Sequence, residues 1–92
     1  MPTFSVRIVN RLGLHARAAS RLVGLAKGYA ADVELRRADR IVNGKSIMSV
    51  MLLEAAAGSD IQVTVTGDDA DAAAEALKAL IERGFDEDTD YA

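Results

Sequence analysis

Thr3-Phe4-Ser5-Val6-Arg7-Ile8-Val9-Asn10-Arg11-Leu12-Gly13-Leu14-His15-Ala16-Arg17 changes its hydrophobic period partway along. Phe4, Val6 and Ile8 alternate with Thr3, Ser5 and Arg7, the period of two expected for a strand from Thr3 to Val9 with one face buried. Asn10-Arg11-Leu12-Gly13 is the turn. From Ala16 to about Lys27 the apolar residues Ala19, Leu22, Val23 and Ala26 recur at i, i+3, i+4 and i+7, the stripe of an amphipathic helix. Gly28 is its expected C-cap. His15, the only histidine in the chain, therefore lies where a strand has just turned into a helix.

That position carries chemistry. A helix start leaves backbone N–H groups unpaired and holds roughly half a positive charge, so the amides of Ala16, Arg17 and Ala18 favour a phosphate there. The His15 imidazole is a candidate nucleophile there, and the Arg17 guanidinium lies two residues on. Gly13 allows a sharp turn and leaves room for another backbone to approach. Arg17, Ser20, Arg21, Gly24 and Lys27 form a second stripe on the face of the helix opposite the apolar one. This stripe begins at the candidate site, so it is the face a docking partner would meet. Gly24 inside a helix costs about 1 kcal/mol relative to alanine; close contact with a partner, or with another element of this chain, would explain it.

Composition narrows the function classes. Ninety-two residues make one domain, too small for an enclosed active-site cavity of its own. The absence of cysteine removes disulfides and thiolate chemistry. No apolar run approaches the roughly 20 residues of a membrane span, and the first residues lack the order of a signal peptide, so a cytoplasmic monomer with no membrane insertion is expected. Residues 1–50 hold nine Lys/Arg against three Asp/Glu, net +6, and residues 51–92 hold two against eleven, net −9. A basic half containing His15 attracts phosphorylated or acidic partners, and the acidic half discourages nucleic acid.

Further along, Asp32–Arg37 and Arg40–Asn43 read as an antiparallel hairpin around Ala38-Asp39, with Val33 and Leu35 inward and Ile41 as the apolar anchor of the second strand. Ser46 then stands before a short helical turn containing Ile47, Met48 and Met51. Serine there is first an N-cap; a phosphate on it would also suit the helix dipole. Ile47, Met48 and Met51 are either core or, if exposed, an adaptable docking patch. Ile61 to Thr66 alternates without a break as a strand. Asp68 or Asp69 caps a final helix from about Ala70 to Arg83, with Ala73, Leu77, Leu80 and Ile81 buried and Gly84 stopping it. Residues 85–92 read as a mobile acidic tail. The order β-α-β-β-α-β-α, with one-sided strands and helices, gives an α+β domain spanning 1–92: a four-stranded, largely antiparallel sheet with three helices on one face.

Gly13-Leu14-His15-Ala16-Arg17-Ala18-Ala19 resembles the active-histidine signature of the HPr family, the histidine-containing phosphocarriers of the bacterial phosphotransferase system. Gly44-Lys45-Ser46-Ile47-Met48 resembles its regulatory-serine segment, and both motifs fall at the family's spacing. Asn10-Arg11-Leu12-Gly13 and Gly84-Phe85-Asp86-Glu87-Asp88 are similar to the nitrogen-related branch, NPr. The resemblance implies an open-faced β-sandwich, phosphorylation of His15 by phosphorylated enzyme I, transfer to EIIA-type proteins, and Arg17 pairing with the phosphate. It implies no cofactor and no metal. It also implies Ser46 as a target of an HPr kinase/phosphorylase. Family members usually carry proline where this chain has Ala18; either residue suits a first helical turn, so the carrier role is expected to persist with a shifted transfer equilibrium.

Two other classes of function fit less well. An enzyme acting on a phosphorylated small molecule needs a general acid and a cleft, and neither a second histidine nor a carboxylate pair accompanies the motif. A nucleic-acid module using Arg17, Arg21 and Lys27 lacks stacking aromatics and an overall basic charge.

Overall fold

The protein is described here from a computed structural model covering residues 2–87. Its elements are β1 (Thr3–Arg7), α1 (Ala16–Ala26), β2 (Asp32–Arg37), β3 (Arg40–Asn43), α2 (Ile47–Leu52), β4 (Asp60–Thr66) and α3 (Ala70–Glu82). The strands form one sheet in the order β1-β4-β2-β3, antiparallel throughout. The three helices cover one face and the other stays open.

Register explains the division. Thr3 and Glu34 flank Thr64, and Ser5 and Arg36 flank Gln62; this polar set makes the open face. The intervening Val6, Val33, Leu35, Ile61, Val63 and Val65 are buried beneath the helices. The α1 stripe of Ala19, Leu22, Val23 and Ala26 is buried as its spacing requires, and so are Ala73, Leu77, Leu80 and Ile81 of α3. The many alanines let these helices lie close to each other and to the sheet. Each fully buried Leu or Ile contributes about 1.5–3 kcal/mol.

Ile41 departs from expectation. It pairs with Arg36, which puts it on the open face with 54% of its surface exposed, while Val42 beside Leu35 packs against the core. In a four-residue edge strand the partner's register decides the face, and a lone isoleucine does not. Strand β1 also stops at Arg7 rather than Val9. Ile8 is still fully buried and exchanges backbone hydrogen bonds with the Gly58-Ser59 turn. At the far end of α1 the C-cap is Lys27, in right-handed helical geometry, and Gly28 continues as a turn.

The largest departure follows α3. Gly84 takes φ +72°; its N–H donates to Ile81 O (3.0 Å), and Phe85 N–H donates to Leu80 O (2.9 Å). This pair of bonds is a Schellman motif, which turns the chain back on itself and places an apolar residue just past the helix end. That residue is Phe85, fully buried. Phe85 and Asp86 both hold positive φ, 60° and 59°, an unfavourable conformation for non-glycine residues. It is offset by Phe85 burial, by the Arg21 guanidinium donating to Phe85 O and by an Arg83–Asp86 ion pair (2.9 Å). The expected acidic tail is therefore packed through Glu87, and the remainder of that expectation, positions 88–92, lies outside the described residues.

Candidate functional site

His15 is the N-cap of α1. Its backbone is extended (φ −82°, ψ −178°), its carbonyl accepts the first helical hydrogen bond from Ala19 N–H (2.8 Å), and its Nδ1 accepts from Arg17 N–H (3.3 Å). An imidazole replaces the usual oxygen of a capping side chain. Because Nδ1 accepts, its lone pair lies at the positive end of the helix. The amides of Ala16, Arg17 and Ala18 precede the helical ladder around that atom. Ala16 and Arg17 are exposed, whereas the Ala18 side chain is buried.

The preceding loop is braced against the segment after α2. Leu14 N–H donates to Ala55 O (2.9 Å), and a Cβ on Gly13 would lie 2.6 Å from that same oxygen. Gly13 also has φ +69°, so turn and close approach both call for glycine here. Asn10, fully buried, donates through Nδ2 to Gly13 O (2.7 Å).

On its other edge the ring meets a group that sequence reasoning missed. His15 Nε2 lies 2.6 Å from Glu87 Oε2, with 28% and 10% of the two side chains exposed. Asn10 Nδ2 donates to Glu87 Oε1 (2.9 Å). Burial works against the ionised Glu87, but the Asn10 and His15 hydrogen bonds, with the Arg17 charge, outweigh it and hold the carboxyl below its ordinary range. A glycine followed by a phenylalanine just past a helix end, the Schellman signature, was the signal that residues 85–87 fold back.

The stripe of Arg17, Ser20, Arg21, Gly24 and Lys27 is exposed along its length. Lys27, twelve positions from His15, stands about 18 Å along the axis and so belongs to the surrounding face rather than to the site. Arg21 is engaged with Phe85 O. Gly24 has nothing within 4 Å of where a Cβ would be, so packing within this chain does not account for it.

Ser46 caps α2, its hydroxyl accepting from Ser49 N–H (3.3 Å). Only Val50 and Leu53 anchor this short helix in the core. Its C-terminal carbonyls are held by Arg37 Nε on Leu53 O (2.8 Å) and Arg40 Nη1 on Leu52 O (3.0 Å), as cations at a helix C-terminus should. The outward side is apolar: Met48 is 77% and Leu52 67% exposed, with Ile47 and Met51 partly so. Leu12, 62% exposed, borders a shallow groove with His15, Glu54 and Ala55. Leu12 and Leu52 were not singled out from the sequence, because a single apolar residue at a turn or helix end has no period to betray which way it faces. A wide, open concavity lies elsewhere, on the open sheet face between Glu34, Ile41 and Thr66, and His15 is not part of it. Among the described residues no cluster of His, Cys, Asp or Glu could hold a metal ion, and no helix is long and apolar enough to cross a membrane.

An open-faced β-sandwich with a solvent-reachable imidazole capping a helix, helix-start amides around its Nδ1 and apolar residues beside it, is an arrangement able to hold a phosphoryl group at the surface. Residues 2–83 match the family model described as PTS HPr component phosphorylation site. The phosphocarrier protein HPr of Pseudomonas aeruginosa is 44% identical over 88 residues, covering 95% of this chain and 98% of that one. The phosphocarrier protein NPr of Shewanella violacea is 39% identical over 82 residues, covering 89% and 90%. A crystal structure of HPr from Thermoanaerobacter tengcongensis superposes with a TM-score of 0.92 at 35% identity, covering 96% and 99%. The chain belongs to the HPr family of phosphocarrier proteins of the phosphotransferase system.

Proposed function

We propose that His15 Nδ1 accepts a phosphoryl group from phosphorylated enzyme I and passes it to EIIA-type proteins, in sugar uptake, in regulation or in both. The observation that carries this reading is the Arg17 N–H directed at Nδ1 at the start of α1. A phosphate bonded to that nitrogen meets the bare amides of Ala16, Arg17 and Ala18, and the exposed Arg17 guanidinium can swing to it as a bidentate partner. One arginine and a helix end stabilise the phosphoramidate moderately, which suits a group that has to leave again. The protein then acts as a stoichiometric carrier, not an enzyme, in the cytoplasm and as a monomer.

Partners dock on the apolar side of α2, through Ile47, Met48 and Met51 with Leu12 and Leu52, and along Arg17, Ser20, Arg21, Gly24 and Lys27. Exposed apolar residues clustered beside a reactive group mark a contact surface, and methionine repacks against more than one partner. Ser46 borders this patch. Its phosphorylation by an HPr kinase/phosphorylase would add a dianion beside the apolar surface and impede docking.

Incubation with labelled phosphoenolpyruvate and enzyme I tests the reading. Acid-labile, base-stable label is expected on the wild-type protein, to be surrendered on adding an EIIA protein, and none on His15→Ala. Label retained by His15→Ala refutes the assignment. For Ser46, acid-stable label from ATP and an HPr kinase/phosphorylase is expected on the wild type and not on Ser46→Ala.

A further inference from the structure

The ring of His15 is held at both nitrogens, Nδ1 accepting from Arg17 N–H (3.3 Å) and Nε2 lying 2.6 Å from Glu87 Oε2. An ionised carboxylate can only accept, so Nε2 carries the proton and Nδ1 presents its lone pair. Glu87 is itself fixed, because its other oxygen accepts from Asn10 Nδ2. Asn10 is buried and its Nδ2 is also bonded to Gly13 O. Glu87 is delivered to this position by the Schellman turn and the burial of Phe85.

We infer that Glu87 is the positioning residue of the phosphoryl transfer: it locks His15 in the Nε2–H tautomer and neutralises the positive charge the ring acquires when Nδ1 is phosphorylated. The inference rests on the carrier reading and adds to it a residue beyond the helix start. In the transfer, the Nδ1 lone pair forms the new N–P bond while the bond from phosphorus to the donor's leaving atom breaks and its electron pair returns to that atom. His15 keeps its Nε2 proton throughout, so the phosphorylated ring is an imidazolium and its charge lies against the Glu87 carboxylate. Transfer onward reverses each step. A carboxylate behind an imidazole sets the tautomer and stabilises the imidazolium in the same manner in Ser-His-Asp hydrolases. The other charged groups around the ring are Arg11 in the preceding turn, Arg17 and Arg21 on α1, Glu54 across the groove, and Arg83 and Asp86 after α3. Of these carboxylates, Asp86 is paired with Arg83 and Glu54 with Arg40, leaving Glu87 as the one bonded to the ring.

Glu87→Gln gives a test that a merely structural role would not meet. Glutamine has one oxygen for two donors; Asn10 retains it, since turning Asn10 over would set its Oδ1 against Gly13 O. The glutamine N–H then points at Nε2 and forces the proton to Nδ1, the atom that must attack. Ring nitrogen chemical shifts by NMR should show the Nε2–H tautomer in the wild type, Nδ1–H in Glu87→Gln and a mixture in Glu87→Ala. The rate of phosphorylation by phosphoramidate, which needs no enzyme I, should fall about tenfold or more in Glu87→Gln and less in Glu87→Ala. Retention of the Nε2–H tautomer in Glu87→Gln, or a rate within threefold of the wild type, overturns the inference. Failure of enzyme I to label the wild-type protein would instead sink the carrier reading and leave the tautomer result standing.

Discussion

Gly13 shows how one residue fixes the reactive loop. Its φ of +69° and the 2.6 Å that would separate a Cβ from Ala55 O are independent obstacles to any side chain. Gly13→Ala should cost about 2 kcal/mol or more, lowering the thermal midpoint by roughly 8 °C or more in a domain of this size. A midpoint within about 2 °C of the wild type would show that the loop does not depend on this close approach. The need for glycine was legible, because a turn into a helix start asks for it. The identity of the approaching backbone was not, since Ala55 lies 42 positions away. Ile41 shows the same limit: its apolar character was legible and its face was not, because that is set by pairing with Arg36.

At the scale of the element, the helix starts were legible for α1 and α2 and only half so for α3. His15 and Ser46 cap their own helices through bonds two or three residues long, local chemistry that a sequence can carry. Asp69 occupies the N-cap of α3, as expected, yet its side chain makes no capping bond. Its oxygens accept instead from Ala30 N–H and Ala31 N–H (2.8 Å each), pinning the α1–β2 connection. The Ala30 bond is the main reason the Asp69 pKa is lowered; burial opposes it, and the Ala31 bond and the Lys45 charge add to it. A carboxylate with a depressed folded pKa contributes stability that is fully present above its unfolded value and lost as pH falls through the folded one. Asp69→Asn should therefore be less stable than wild type at neutral pH, and the gap should close on acidification below about pH 4. Paired denaturant titrations at neutral and acid pH check this; a gap independent of pH would contradict it.

Across the whole molecule, the division of charge sets out the logic of the site. The first half of the chain is basic and supplies α1 and the loop before it, and the acidic second half sends one carboxylate back to the imidazole. Element order, layer arrangement and the start of the reactive helix were legible because they rest on period and on neighbours in sequence. The Asn10–Glu87–His15 chain was not, because 72 residues separate its carboxylate from its imidazole and the turn that joins them was read as a tail. Its carboxylate nonetheless determines which nitrogen is reactive. Phosphorylation of nitrogen-15-labelled protein by phosphoenolpyruvate and enzyme I, followed by phosphorus–nitrogen coupling in the NMR spectrum, tests this most directly. Phosphorus bonded to Nδ1 of His15, with the proton on Nε2, is the result predicted; phosphorus on Nε2, or none on His15, would contradict it.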